Sequence, residues 1–162
     1  MTETKTFTDR TGWPSGPWDW EPDRVDWVDA GTGLPCLALR SPTMGCWCGY
    51  VAVPPGHRYH GAEYDDINVR VHGGLTFAGP CMDDNNHPKH EQVCHVPAPG
   101  EPDDVWWFGF DCGHGGRDVL PRILGMDRDL PSFPGTVYRT IEYVREQCEM
   151  LARQLAEVRS PL

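Results

Sequence analysis

The most apolar run in the chain is Val105-Trp106-Trp107-Phe108-Gly109-Phe110-Asp111-Cys112, and the glycine-rich segment Gly113-His114-Gly115-Gly116 follows it at once. A short, continuous apolar run rich in aromatic residues is typical of a buried strand. Side chains alternate along a strand, so Asp111 lies on the same face as Trp107 and Gly109. Gly109 leaves space on that face beside an aromatic wall. The run therefore predicts a central strand that ends near Asp111, with His114 in the loop that follows it.

Strand patterns also precede this run. They are rich in β-branched and aromatic residues or alternate between apolar and polar positions, and Gly and Pro clusters separate them. The pair Gly73-Gly74 interrupts one of them and indicates a bulge or a close backbone approach. The predicted strands are residues 24–30, 34–40, 46–53, the interrupted pair 68–72 and 75–77 as one strand, and 92–96.

The period changes after Thr136, which is a suitable helix N-cap. Apolar residues then recur at steps of three and four, which predicts one apolar stripe on a helix over about 137–158. The stripe consists of Val137, Ile141, Val144, Cys148, Leu151, Leu155 and Val158. We therefore predict an α+β domain in which one long C-terminal helix covers an antiparallel sheet of about five or six strands. A narrow stripe also fits a coiled-coil seam, so a homodimer through this helix is the alternative.

Length and charge limit the functional classes. The chain has 162 residues, which suits one domain over 24–162 behind a Trp/Pro-rich arm over 1–23. The tryptophans of this arm either dock on the domain or contact a partner. With 14 basic and 24 acidic residues the net charge is −10, which disfavours general nucleic-acid binding. The sequence has no apolar signal region and no membrane-length apolar stretch, which predicts a cytoplasmic protein away from the membrane.

The seven cysteines are an odd number, and thiols stay reduced in the cytoplasm. Buried thiols or metal ligands are therefore favoured over a disulfide framework. Cys46 and Cys48 share a strand face, and two small buried side chains are the simpler interpretation of that pair. No Cys-x-x-Cys motif is present, so a zinc ribbon or finger is not indicated.

Histidine and aspartate side chains stand at the ends of the predicted strands and in the loops beside them. Imidazole and carboxylate are zinc ligands, and a catalytic zinc site uses three protein ligands and a water. We predict a site at His72, Asp111 and His114, joined by His57 or His60 from a Pro/Gly-rich loop. Asp111 is either a ligand, a general base or the cap of a turn. Asp118 is a further candidate carboxylate.

The leading functional hypothesis is a small zinc-dependent hydrolase. The first alternative is a non-catalytic module that binds a small molecule or a host protein, and the second is a structural domain that dimerises through its helix. The sequence has no nucleophile elbow and no nucleotide-binding glycine motif, which argues against a serine hydrolase and a conventional phosphate cradle. Aromatic side chains that could stack on a ligand are Trp47, Tyr64, Trp106 and Trp107.

Two segments resemble a family of small, uncharacterised proteins of phages, prophages and actinobacterial-type bacteria. They are Val71-His72-Gly73-Gly74-Leu75-Thr76-Phe77 and Trp106-Trp107-Phe108-Gly109-Phe110-Asp111-Cys112-Gly113-His114. The resemblance extends over about 46–117 and 138–156. It implies a phage-type context and transfers no catalytic role. Residues 113–118 are one residue longer than the corresponding family segment, so the resemblance assigns no role to Asp118.

Overall fold

The computed structural model describes residues 3–82, 86–95, 103–115, 117–124 and 136–158. The protein contains one six-stranded antiparallel sheet of order β1-β2-β3-β4-β6-β5 and a long helix, α2. The strands are β1 (Thr4–Thr6), β2 (Arg24–Val28), β3 (Pro35–Arg40), β4 (Trp47–Val53), β5 (Phe77–Pro80) and β6 (Trp106–Asp111). The helices are α1 (Pro121–Leu124) and α2 (Ile141–Glu157). The predicted α+β class, with one long C-terminal helix, is confirmed.

The tryptophan-rich strand lies inside the sheet, because β6 pairs with both β4 and β5, but it is next to the edge strand β5 rather than at the centre. The expected space above Gly109 is, however, filled by the ring of Tyr50, its partner across the sheet. A Cβ atom at Gly109 would lie 2.4 Å from Cδ1 of Tyr50. Gly109 therefore admits an aromatic ring of the protein itself rather than a ligand.

The apolar stripe of α2 packs on the sheet. Its members Val144, Cys148, Leu151 and Leu155 are fully buried, and α2 lies mainly against β4. Gly49 of β4 allows this approach, since a Cβ there would lie 2.9 Å from Sγ of Cys148. The stripe is covered by the protein's own sheet, so a homodimer would have to use another surface.

The long helix begins four residues later than predicted, at Ile141. Thr140 is its N-cap and accepts a hydrogen bond from the backbone N–H of Tyr143 at 3.2 Å. Val137 instead forms a parallel bridge with Asp118 and exchanges backbone hydrogen bonds with Arg117 and Val119. This pairing holds residue 137 in an extended conformation, so the expected cap at Thr136 is wrong.

The alternating segment 68–72 does not form the predicted strand. Val69 and Val71 do pack against the core, as their alternation indicates. The backbone groups of the segment bind amide side chains of α2 instead of a neighbouring strand. Gln154 bonds both the N–H and the C=O of Arg70, and Gln147 accepts from the N–H of His72. Side chains of a helix can thus satisfy the hydrogen-bonding groups of an extended backbone segment. The alternation of residues in the sequence does not reveal such contacts.

The sheet also differs from the predictions at its edges. Residues 92–95 form bends and irregular structure after a 3₁₀ turn at Lys89–Glu91, and residue 96 lies outside the described residues. The arm supplies an edge strand, β1, which pairs with β2. Of its tryptophans, Trp18 is buried against Tyr138, whereas Trp20 is 92% exposed.

Two cysteines, Cys81 and Cys94, form a disulfide, which the expectation of reduced thiols did not include. Cys36, Cys46, Cys48, Cys112 and Cys148 are free, and all but Cys48 are buried. Cys46 and Cys48 are thus small side chains packed at or near the core. Over the described ranges, no helix has the length and apolar character needed to cross a membrane.

Candidate functional site

The site is built around His72, which lies in the tight turn between the segment at 68–71 and β5. Its side chain is only 8% exposed. Nδ1 lies 2.7 Å from the hydroxyl of Tyr143, and Nε2 lies 3.0 Å from Oδ2 of Asp118. Both ring nitrogens therefore have a defined partner, and the ring orientation is fixed from two sides.

Asp118 is the buried carboxylate of the site. Oδ2 accepts from His72 and from the backbone N–H of His114 at 3.0 Å, and Oδ1 accepts from Nε of Arg139 at 2.9 Å. Burial alone would raise the pKa of Asp118, but the hydrogen bonds from His72, Arg139 and the His114 N–H outweigh it and lower the pKa. Asp118 is thus held as an ionised carboxylate.

His114 lies directly over the backbone of Gly73. A Cβ at Gly73 would come within 2.0 Å of Nε2 of His114, and the φ of Gly73 is +66°. Glycine is therefore required here both for backbone conformation and for space. Nε2 of His114 is buried, and within the described part of the chain it has no hydrogen-bond partner. A buried polar atom of this kind needs an explanation such as an ion or a water.

His72, His114 and Asp118 each offer one ligand atom, and these atoms lie within 4.8 Å of one another. Two ligands of a tetrahedral zinc ion at about 2.1 Å from the metal lie roughly 3.4 Å apart. The limit of 4.8 Å includes this spacing, and Nε2 of His72 and Oδ2 of Asp118 are 3.0 Å apart. The residues fit a divalent ion with mixed nitrogen and oxygen ligands.

Asp111 lies beside this group, at the end of β6. Its Oδ1 accepts from the backbone N–H of Gly113 at 3.0 Å and lies 3.7 Å from Nε2 of His114. Its side chain is partly open to solvent. The predicted residues His72, Asp111 and His114 therefore come together, and Asp118 completes the group.

His57 and His60, the other predicted ligands, lie elsewhere. Nε2 of His57 is 2.8 Å from the carbonyl oxygen of Leu155, near the C-terminal end of α2. His72 contacts Tyr143, which is twelve residues and about 18 Å of helix away from that point. His60 lies against Trp106 at the start of β6, whereas His114 follows the other end of the strand.

The predicted aromatic walls are mostly internal. Trp47 and Trp107 are fully buried, and the guanidinium of Arg40 lies 4.2 Å from the ring centroid of Trp47. Trp106 is partly buried and donates its indole N–H to the carbonyl of Ala62. Tyr64 is exposed in a 3₁₀ turn. None of these four rings lines the group at His72.

Buried thiols surround the site without adding a thiolate to it. Sγ of Cys46 would lie 3.1 Å from a Cβ at Gly113, so it borders the loop that carries His114. Burial raises the pKa of Cys46 to about 12, and burial likewise raises the pKa of Cys112. Burial also raises the pKa of Tyr143, which keeps its hydroxyl protonated beside His72.

Several supporting residues were not predicted. Tyr143, Gln147 and Gln154 lie at steps of four and seven, so they form a second, polar stripe beside the apolar one on α2. This spacing is visible in the sequence and could have identified a face that binds an extended segment. Arg139, just before α2, also belongs to this group, because its Nε donates to Oδ1 of Asp118.

Comparison of the chain with models of protein families, with curated proteins and with solved structures gave no match.

Proposed function

We propose that the protein is a metal-dependent hydrolase, with zinc as the ion, whose centre is formed by His72, His114 and Asp118. One observation carries the proposal: the three donors lie within 4.8 Å of one another, and Nε2 of His114 is buried without a hydrogen-bond partner in the described residues. Two imidazoles and one carboxylate form a ligand set that zinc accepts in catalytic sites.

A purely structural ion pair would account for only part of this arrangement. The contact between His72 and Asp118 is a satisfied hydrogen bond, with Arg139 as a second partner of the carboxylate. It does not account for the buried Nε2 atom of His114, whose ring requires a glycine beneath it. A bound ion gives His114 a partner and uses the same three side chains.

The two partners of His72 suit metal binding. A neutral histidine that binds a metal through Nε2 carries its proton on Nδ1, and a hydrogen-bond acceptor then fixes the ring. The hydroxyl oxygen of Tyr143, 2.7 Å from Nδ1, is such an acceptor. Without the ion, the other tautomer donates from Nε2 to Asp118 and accepts from Tyr143.

A zinc ion held by His72, His114 and Asp118 would lower the pKa of a bound water to about 7 and would so provide hydroxide near neutral pH. Asp111 is the general base, because it is a partly exposed carboxylate 3.7 Å from His114 and outside the ligand group. Arg139 holds Oδ1 of Asp118, which leaves Oδ2 directed at His72.

The first experiment is calorimetric titration of metal-free, oxidised protein with zinc. In that state the Cys81–Cys94 disulfide offers no thiolate to the ion. We expect one zinc ion per chain and loss of this binding in the double variant His72→Ala/His114→Ala. His57→Ala/His60→Ala is the matched control, and we expect it to bind zinc normally. Absence of binding in the wild type, or equal binding in both double variants, would contradict the proposal.

The second experiment measures hydrolysis of chromogenic carboxylic and phosphoric esters with and without zinc. We expect zinc-dependent turnover that Asp111→Asn lowers about 100-fold or more, in line with the usual contribution of a general base. Asp111→Asn should still bind zinc, because Asp111 is outside the ligand group. Zinc binding without turnover on any ester class would instead favour a non-catalytic metal-binding module.

A further inference from the structure

A second group of donors lies in the connection between β5 and β6, away from the His72 group. Cys81 follows β5, Cys94 and His95 follow the 3₁₀ turn at Lys89–Glu91, and Asp103 precedes β6. We propose that these four residues form a structural zinc site once the Cys81–Cys94 disulfide is reduced. The proposal is independent of the hydrolase centre and uses none of its residues.

Oδ1 of Asp103 lies near the ligand atoms of the other three side chains. Oδ1 of Asp103 lies 3.3 Å from Sγ of Cys81, 3.4 Å from Sγ of Cys94 and 3.8 Å from Nε2 of His95. Ligand atoms of Cys81, His95 and Asp103 all lie within 4.8 Å of one another. Two sulfurs, one imidazole and one carboxylate make a complete tetrahedral ligand set for zinc.

The oxidised state leaves this group chemically unsatisfied. Disulfide sulfurs carry no hydrogen, so neither can donate to the Asp103 carboxylate that both of them approach. Nε2 of His95 is buried, and among the described residues it has no hydrogen-bond partner. An ion bound by the two thiolates would coordinate the Asp103 carboxylate and give Nε2 of His95 a partner.

The loop is held in place by contacts that do not depend on the disulfide. The buried guanidinium of Arg24 in β2 donates 2.6 Å hydrogen bonds to the carbonyls of Gln92 and Cys94. Val93 is buried between them. The donors therefore stay near one another after reduction, which lowers the entropic cost of binding an ion.

Trp107 of β6 contacts two of the four proposed ligands, Cys81 and His95, from the side of the sheet. Its indole N–H donates to Sγ of Cys81 at 3.4 Å, and its ring meets the His95 ring edge-on at 5.8 Å between centroids. A donor aimed at a sulfur stabilises a thiolate, and a packed imidazole keeps its orientation. These contacts are typical of the shell that surrounds a bound metal.

Formation of the site is a balanced two-step reaction. An external dithiol gives two electrons and two protons to the Cys81–Cys94 bond, which yields two protein thiols and one cyclic disulfide. Zinc then binds both sulfurs while the two thiol protons leave to solvent, and no further electron moves. The disulfide and the zinc thiolate site are thus mutually exclusive states of the same loop.

The test uses cobalt(II) as the probe on the full chain. Protein reduced with a non-coordinating phosphine, without oxygen, is titrated with cobalt, and sulfur-to-cobalt charge-transfer absorption is recorded in the near ultraviolet. We expect one thiolate-bound cobalt per reduced chain, displaced by zinc, and no such absorption from oxidised protein. The His72 group has no thiolate, so cobalt bound there does not contribute to this signal.

Variants assign the signal to its ligands. Cys94→Ser and His95→Ala should each weaken cobalt binding at this site by at least about 100-fold, since loss of a ligand exceeds the 10–100-fold effect of losing a supporting residue. Cys48→Ser, which removes a half-buried free cysteine, is the matched control and should keep the signal. His72→Ala/His114→Ala should also keep it.

The proposal fails if reduced wild-type protein gives no sulfur-to-cobalt absorption. It also fails if Cys94→Ser and His95→Ala both keep the signal. The wild-type titration decides the question even if a variant does not fold. Loss of the hydrolase centre would leave this signal intact, so the two proposals can fail separately.

Discussion

Two buried carboxylates, Glu21 and Asp118, have very different surroundings. Glu21 accepts from the backbone N–H of Ile141 at 2.7 Å, from Arg40 at 3.3 Å and from the hydroxyl of Tyr138. Asp118 also accepts three hydrogen bonds, but beside it lies His114, whose buried Nε2 has no hydrogen-bond partner among the described residues. Burial and pairing are thus common to both groups, and only the second has an unsatisfied neighbour.

The difference separates a structural charge cluster from a candidate site. Around Glu21 the hydrogen bonds join the arm, β3 and the first residue of α2, and they leave nothing for a ligand to satisfy. Around Asp118 similar hydrogen bonds fix the positions of the side chains, but Nε2 of His114 can still bind a ligand such as an ion. The predictions below test whether this distinction holds.

The largest effect on folding is expected at Glu21. Glu21→Ala leaves the guanidinium of Arg40 and the N–H of Ile141 short of a buried partner, so we expect a loss of about 3–5 kcal/mol of unfolding free energy. Under conditions in which the variant is fully folded, its zinc affinity should equal that of the wild type. Denaturant titration measures the loss. Glu142→Ala, an exposed position in the first turn of α2, is the control and should change the stability little.

The next largest effect is expected on zinc binding in Asp118→Asn. The amide has the shape of the carboxylate, but it has no charge for the ion and turns an N–H₂ group towards His72 or Arg139. We expect zinc affinity to fall by more than about 100-fold, with a loss of roughly 1–3 kcal/mol of stability. Calorimetry and denaturant titration measure the two changes. An unchanged affinity would remove Asp118 from the ligand group.

The difference in stability between the wild type and Asp118→Asn should depend on pH. The folded pKa of Asp118 is lowered, so its ionised form stabilises the fold above the ordinary aspartate pKa, and this contribution disappears as pH falls through the lower folded value. The stability advantage of the wild type over Asp118→Asn should therefore shrink as the pH falls through the ordinary aspartate range and below it. A constant difference would contradict the ionised state of Asp118.

A smaller effect is expected at the glycine turn. Gly73→Ala strains a positive φ and also forces a Cβ into His114, whereas Gly74→Ala strains a similar φ with open space around it. Both variants should lose about 1–2 kcal/mol from backbone strain. Only Gly73→Ala should also lower zinc affinity, by about 10–100-fold, the usual effect of disturbing the support of a ligand. Equal affinities of the two variants would contradict the role of His114.

The smallest effect is expected at Tyr143. Tyr143→Phe removes the hydroxyl next to Nδ1 of His72 and leaves the ring in place. We expect zinc affinity to fall about 10-fold and the zinc-free fold to remain intact. Tyr64→Phe, in an exposed turn, should have no effect on zinc binding.

Local patterns predicted much of the fold correctly. The apolar run at 105–112 became the interior strand β6, and the stripe at three- and four-residue steps became the buried face of α2. The alternation at 68–72 places Val69 and Val71 on one side, and both are partly buried against the core. It did not reveal that Gln147 and Gln154 bond the backbone of this segment, because that contact joins residues more than seventy positions apart.

Residue type and local position were enough to nominate His72, Asp111 and His114. Asp118 and Tyr143 were not recognised as partners of His72, and His57 and His60 were included although they bind carbonyls elsewhere. The start of α2 was misplaced for a similar reason. The bridge between Asp118 and Val137 competes with the first helical turn, and a helix pattern contains no sign of that competition.

The amino-acid order alone determined the α+β class, because strand alternation and helix periodicity are properties of neighbouring residues. It also determined which residue types could bind a metal. Tertiary structure decided which of those residues meet, where the arm pairs, and which cysteines are joined. Contacts between distant segments depend on chain closure and on packing of the whole sheet, and no local pattern carries that information.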